Sequence, residues 1–179
     1  TTWQSDNMII SLTGFMGCGK SSVGRRLSEL LCCSFMDLDD VLVEREGKNI
    51  PEIFATEGET AFRHMELKAL EHIINIDGIV LALGGGTVMT EECADLVKGK
   101  TLCIYLKASV ETLLERLDGK AAGRPMLADA DLRTRIETLM EKRSSTYEKT
   151  AHITIDTDGM SIEAVASEIA SVLNRLTSL

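Results

Sequence analysis

Residues 14–21 read Gly-Phe-Met-Gly-Cys-Gly-Lys-Ser, and this octapeptide constrains the chain more than any other feature. It matches the pattern Gly-x-x-x-x-Gly-Lys-Ser/Thr at every fixed position. The apolar run Met8–Thr13 precedes it, and a helical pattern follows through Val23, Leu27, Leu30 and Leu31. A loop so placed lets backbone N–H groups converge on phosphate oxygens without Cβ clashes. The helix that follows adds the positive end of its dipole. Gly17, Cys18, Gly19, Lys20, Ser21 and Ser22 are therefore the expected contacts to a nucleoside triphosphate. Lys20 can reach the β- and γ-phosphates, and the Ser21 hydroxyl can ligate Mg²⁺. The loop by itself does not separate a kinase from a GTPase or a motor.

Strand-length apolar runs recur at Met8–Thr13, Ser34–Met36, Ile79–Leu83, Thr101–Lys107 and Ile153–Ile155. Segments of helical period lie between them. The clearest spans 161–176, where Ile162, Val165, Ala166, Ile169, Val172, Leu173 and Leu176 share one face behind a Ser161 N-cap. Two others are expected at about 59–76 and 131–149. Alternating strands and helices predict βαβ units and a three-layer α/β/α fold on a five-stranded parallel sheet, of P-loop NTPase type. At 179 residues the chain suits one domain. It is expected to occupy 8–179, with polar residues 1–7 a flexible flank or an expression remnant and Met8 a plausible native start. Ligands in such sheets bind beyond the carboxyl ends of the strands, so the residues just after each strand are the ones to weigh.

Asp37 and Asp39 follow the second strand. In extended chain, residues i and i+2 share a side, so one could hold a metal-bound water and the other accept a hydrogen bond from a substrate hydroxyl. The bland alternative is helix N-capping, the role expected of Asp40. Arg143 falls in the apolar stripe of its helix, with Leu139 and Met140 before it and Tyr147 after. Arg63 lies beside the stripe of helix 59–76, flanked by Glu59 and Glu66. Each guanidinium reads as a clamp for a carboxylate or phosphate, or as a structural ion pair. Gly84-Gly85-Gly86 follows the central strand and can bring backbone N–H groups to a ligand, or be a plain turn. No aspartate ends that strand, which leaves Asp37 as the candidate for metal support. Residues 118–130 carry two glycines and a proline. They read as a mobile lid or as an ordinary surface loop.

Lys and Arg number 19 against 28 Asp and Glu, a net charge of −9. Coating of nucleic acid is not expected of so acidic a chain. No apolar run approaches the roughly 20 residues of a membrane-spanning helix, and no signal peptide is seen. The five cysteines include no C-x-x-C pair and no zinc-ligand spacing. A reducing, cytoplasmic setting is expected.

Taken together these parts resemble the shikimate kinases, small P-loop kinases of the nucleoside-monophosphate-kinase type. The resemblance covers about 8–176. It is carried by Gly14–Ser21, Asp37-Leu38-Asp39, Phe54-Ala55-Thr56-Glu57-Gly58-Glu59 with Phe62-Arg63, Gly84-Gly85-Gly86, Arg124-Pro125-Met126-Leu127, and Arg143 with Tyr147. It implies sheet order 2-3-1-4-5 and ATP-dependent phosphorylation of the shikimate 3-hydroxyl. Ser21 would ligate Mg²⁺ with Asp37 behind a water. Lys20 would bind the transferring group, Asp39 would hold the attacking hydroxyl as base or acceptor, and Arg124 would fold over the phosphates. Arg116 and the segment after Asp156 would lie near the adenine. Arg63 and Arg143 would clamp the substrate carboxylate beside Gly84, Gly85 and Gly86, with Phe54, Phe62 and Glu66 shaping the pocket. The family is usually monomeric. Two departures stand out: Met126 where Leu is more usual, and Cys18 where Ala or Ser is commoner. A gluconate or nucleotide kinase, or a non-catalytic nucleotide-binding module, is the alternative. The aspartate pair and the two arginines favour a carboxylated polyol.

Overall fold

Ile10 and Leu12 of the first strand face one hydrophobic layer while Ile9 faces another. That alternation recurs along the sheet: Val80 and Ile104 face the first layer, Leu81 and Cys103 the second. Strands apolar on both sides need cover on both sides. The computed structural model describes residues 8–121 and 129–177 and shows this arrangement. The strands are β1 (Ile9–Thr13), β2 (Ser34–Asp37), β3 (Ile79–Ala82), β4 (Leu102–Lys107) and β5 (Ile153–Asp156). Every pairing is parallel, and the order is β2-β3-β1-β4-β5, as the resemblance implied.

The helices are α1 (Lys20–Leu31), α2 (Leu38–Glu46), α3 (Ile50–Ile73), α4 (Glu91–Lys100), α5 (Val110–Ala121), α6 (Asp129–Thr150) and α7 (Ile162–Thr177). α1 and α7 cover one face through Val23, Leu27, Val165 and Ile169. α2, α3 and α4 cover the other through Leu42, Leu70 and Val97. α6 spans the layers, with Ile136 in the first and Tyr147 in the second. Among the described residues no helix is long and apolar enough to cross a membrane.

The helix expected at 59–76 is the second of the two pieces of α3: Gly58 at φ 85°, ψ 169° breaks the helix, a first piece starts at Ile50, and the second runs on from the break to Ile73. Two other expectations need adjustment. The lid expected at 118–130 overlaps helix at both ends: α5 runs to Ala121 and α6 begins at Asp129. Residues 122–128, including Arg124, lie outside the described residues, as do the expected flank 1–7 and residues 178–179. The N-cap of α2 is Asp37, whose carboxylate accepts from the backbone N–H of Asp39 and Asp40, so Asp40 sits inside the first turn instead. Helix 161–176 matches α7, and the Ser161 hydroxyl accepts from the Ala164 N–H at 3.1 Å.

Candidate active site

The loop from β1 into α1 wraps the open end of the sheet. Gly19 caps α1 at φ 91°, a conformation that a residue with a Cβ adopts only with strain. Lys20 Nζ donates to the carbonyls of Gly14 (2.7 Å) and Phe15 (3.1 Å), and lies 3.9 Å from the buried Cys18 sulfur. Around the loop opens a cavity of about 600 Å³. Gly17–Ser22 form one wall, Asp37 and Asp39 another, and Gly84 and Gly85 the far end. Arg116 closes a side, donating to the Cys18 carbonyl at 3.0 Å. The P-loop residues, both aspartates and the first two triplet glycines are thus brought together.

Asp37 does two jobs. One carboxylate oxygen caps α2, and the other accepts the Ser21 hydroxyl at 2.5 Å. Asp37 and Asp39 reach one cavity, though not by strand alternation: β2 ends at Asp37, and Asp39 comes from the first turn of α2. Burial pushes the Asp39 carboxyl up to about 6, helped by the negative charges of Asp37 and Glu66 and opposed by Lys20. A carboxyl so placed stays largely ionised at neutral pH yet is basic enough to take a proton.

Beside the cavity the glycine triplet gathers the remaining polar groups. A Cβ at Gly84 would lie 3.1 Å from Asp39 Oδ1 and 3.0 Å from Thr87 Oγ1. A Cβ at Gly85 would lie 3.5 Å from the Met16 backbone nitrogen and 3.6 Å from Arg143 Nη1. At Gly86 it would lie 2.5 Å from Arg63 Nη2, closer than any real Cβ approaches. A side chain at Gly86 would collide with the Arg63 guanidinium, whereas at Gly85 the Arg143 guanidinium stands at ordinary van der Waals distance. Arg63 Nη1 donates to Glu66 at 2.5 Å, and Glu59 lies 3.8 Å from the same side chain. Phe54 stacks on Phe62 with ring centres 4.5 Å apart, and the Arg63 guanidinium sits over Phe62. The Tyr147 hydroxyl donates to the Gly85 carbonyl. Burial pushes that hydroxyl up to about 12, so it remains a donor throughout the neutral range.

The family model for shikimate kinase matches residues 16–174. The chain belongs to the shikimate kinase family. It is 45% identical over 166 residues to a shikimate kinase of Thermus thermophilus, covering 93% of this chain and 90% of that one. A Legionella pneumophila shikimate kinase is 40% identical over 164 residues, covering 92% of this chain and 93% of the relative. Among solved structures, shikimate kinase from Acinetobacter baumannii in complex with shikimate superposes with a TM-score of 0.86 at 32% identity, covering 95% of each chain. Shikimate kinases are phosphotransferases acting on an alcohol group, and this chain has their P-loop kinase fold and their elements in order.

Met160, Ser161 and Ile162 line the cavity around the start of α7, in the segment after Asp156 that the resemblance puts beside the nucleotide. Other polar partners around this shikimate-kinase-type site are not legible in the sequence. Thr87 and the carbonyl of Gly85 had no sequence signal, because their partners Glu66 and Tyr147 lie 21 and 62 residues away.

Proposed function

We propose that this chain transfers the γ-phosphoryl group of ATP to the 3-hydroxyl of shikimate, giving shikimate 3-phosphate and ADP. The observation that carries the reading is a cavity with a glycine turn at its rim. The cavity is lined by a phosphate-binding loop and a carboxyl raised to about 6, and two arginines outside its lining stand against the turn. An anionic polyol suits that rim: its carboxylate lies on Arg63 and Arg143, and its hydroxyl faces Asp39. The neighbouring Acinetobacter baumannii enzyme was solved with shikimate.

The chemistry is positioning and charge stabilisation. Lys20 holds the transferring group, and the backbone amides of Gly17–Ser22 cradle the phosphates. Asp39 orients the acceptor hydroxyl and takes its proton as the new P–O bond forms. Arg116 flanks the adenine on the side where Ile162 and Met160 supply an apolar wall. Arg124, carried here from the sequence motif alone, adds a cation over the phosphates.

Ser21 and Asp37 fit Mg²⁺ by their chemistry. They present hard oxygens 2.5 Å apart at the cavity wall. Among the described residues no cluster of three or more His, Cys, Asp or Glu could hold a metal alone. Mg²⁺ needs few protein ligands when phosphates supply others. Ser21 would ligate it directly and Asp37 through water. When bound, the ion neutralises charge developing on the phosphate oxygens. A reducing cytoplasm accords with all five cysteines being unpaired.

The test is ADP release in a coupled assay with ATP, Mg²⁺ and shikimate, against no acceptor, gluconate and AMP. Shikimate-dependent release is expected. Release with gluconate or AMP and none with shikimate would overturn the reading. Binding of ATP without turnover of any acceptor would point to a binding module.

A further inference from the structure

We infer that Thr87 is a positioning residue for acceptor binding, acting through Glu66 on the Arg63 clamp. Three side chains and one turn form a closed ring. Thr87 Oγ1 donates to Glu66 Oε2 at 2.6 Å. Glu66 Oε1 accepts from Arg63 Nη1 at 2.5 Å. The other Arg63 nitrogen, Nη2, lies where a Cβ at Gly86 would come within 2.5 Å, and Gly86 is bonded to Thr87. Thr87 opens the 3-10 turn Thr87–Met89, and both it and Glu66 are fully buried.

Each link has a physical reason. A carboxylate out of water needs both oxygens satisfied. Arg63 satisfies one and Thr87 the other. With both held, Glu66 cannot rotate, and the guanidinium it grips has one orientation on the turn. A preorganised fork binds a planar carboxylate bidentately, whereas a mobile one loses entropy on each encounter. Thr87 reaches the clamp through Glu66, and its hydroxyl also stands 3.0 Å from where a Cβ at Gly84 would lie. The inference rests on the reading of Arg63 as the acceptor clamp.

The experiment compares Thr87→Val, Thr87→Ser and Arg63→Lys by steady-state kinetics for both substrates and by thermal melting. Thr87→Val keeps shape and removes the donor. It is expected to raise the shikimate KM about tenfold, the worth of one hydrogen bond to a charged group. Its kcat and ATP KM are expected to stay within about twofold, the pattern of lost ground-state binding. Thr87→Ser is expected to restore the shikimate KM. If Thr87→Val does not fold, Thr87→Ala is judged by the same split. A raised shikimate KM for Arg63→Lys with none for Thr87→Val would overturn the role of Thr87 and leave the clamp standing. An unchanged shikimate KM for Arg63→Lys would overturn the clamp and this inference with it. Equal loss in kcat and in both KM values for Thr87→Val would show a general structural role and overturn it too.

Discussion

The burial that suits Asp39 to the proposed chemistry carries a stability cost whose sign is testable. Its carboxyl titrates near 3.8 unfolded and about 6 folded. Below the lower value both states are protonated and the group costs nothing. Between the two the folded state holds the extra proton, so stability falls as pH rises, and the full cost is present above about 6. Allowing for solvent screening of a half-buried group, that cost is about 2 kcal/mol. Asp39→Asn is therefore expected to raise stability by about 2 kcal/mol at pH 8 and by nothing at pH 3, measured by urea denaturation. Equal effects at both pH values would exclude an ionised, desolvated Asp39. The same variant is expected to lose turnover by roughly 10²–10⁴-fold, the range for a missing general base. In the unaltered enzyme, kcat/KM is expected to fall on the acid side of about 6, where the carboxyl can no longer accept a proton. Arg143→Ala belongs at the same scale. It is expected to cost roughly 2–5 kcal/mol of shikimate affinity while ATP affinity is kept. Titration calorimetry with each ligand separates the two, and unchanged shikimate affinity would remove Arg143 from the site.

The pieces that set the acceptor side are joints between elements. Gly58 breaks α3 at φ 85°, ψ 169°, a region that L side chains avoid. The break turns Ile50–Glu57 back so that Phe54 meets Phe62, eight positions on, ring to ring. Nothing lies within 4 Å of a Cβ at Gly58, so the penalty for a side chain there is backbone strain alone. Gly58→Ala is expected to cost about 1–3 kcal/mol in denaturation and to weaken shikimate binding through the displaced Phe54. Full stability in that variant would show that the break is not fixed by glycine. Sequence shows such joints poorly. The P-loop was legible because its backbone geometry and its chemistry lie in eight adjacent residues. The inner strands β1, β3 and β4 were legible within a residue because they are buried almost throughout, whereas the edge strands β2 and β5 showed only short, half-buried runs. Gly58 stood inside a recognised motif, yet its spacing did not reveal that helix continues on both sides. Asp37 was read as a metal-side residue, and its capping of α2 was given to Asp40, because several nearby carboxylates could cap and only the backbone path decides among them. The Arg63–Glu66 pair was legible as i, i+3 neighbours on one helix. The Thr87 and Tyr147 contacts bridge separate elements and waited on the fold.

At the scale of the molecule the proposed site joins parts from both faces of the sheet. The nucleotide cavity takes its walls from the β1–α1 loop, the start of α2, the turn after β3, α5 and the start of α7. The proposed acceptor side adds α3, on the opposite face of the sheet from α1 and α7, and α6, which spans the layers. Neither set of walls exists in the unfolded chain, so each substrate should stabilise the fold by mass action. At a hundredfold excess over its Kd a ligand contributes about 2.7 kcal/mol. For a domain of this size that is roughly 5–10 °C in melting temperature. ADP with Mg²⁺ and shikimate alone are each expected to give such a shift, since the two sides share only the glycine turn and the aspartates. Arg143→Ala should keep the ADP shift and lose the shikimate shift. Ser21→Ala should weaken the Mg²⁺ dependence of the ADP shift and spare the shikimate one. Loss of both shifts together in Arg143→Ala would mean that the two sides are not separable, and that α6 supports the nucleotide cavity through its Tyr147 bond to Gly85 as much as it supports the acceptor clamp.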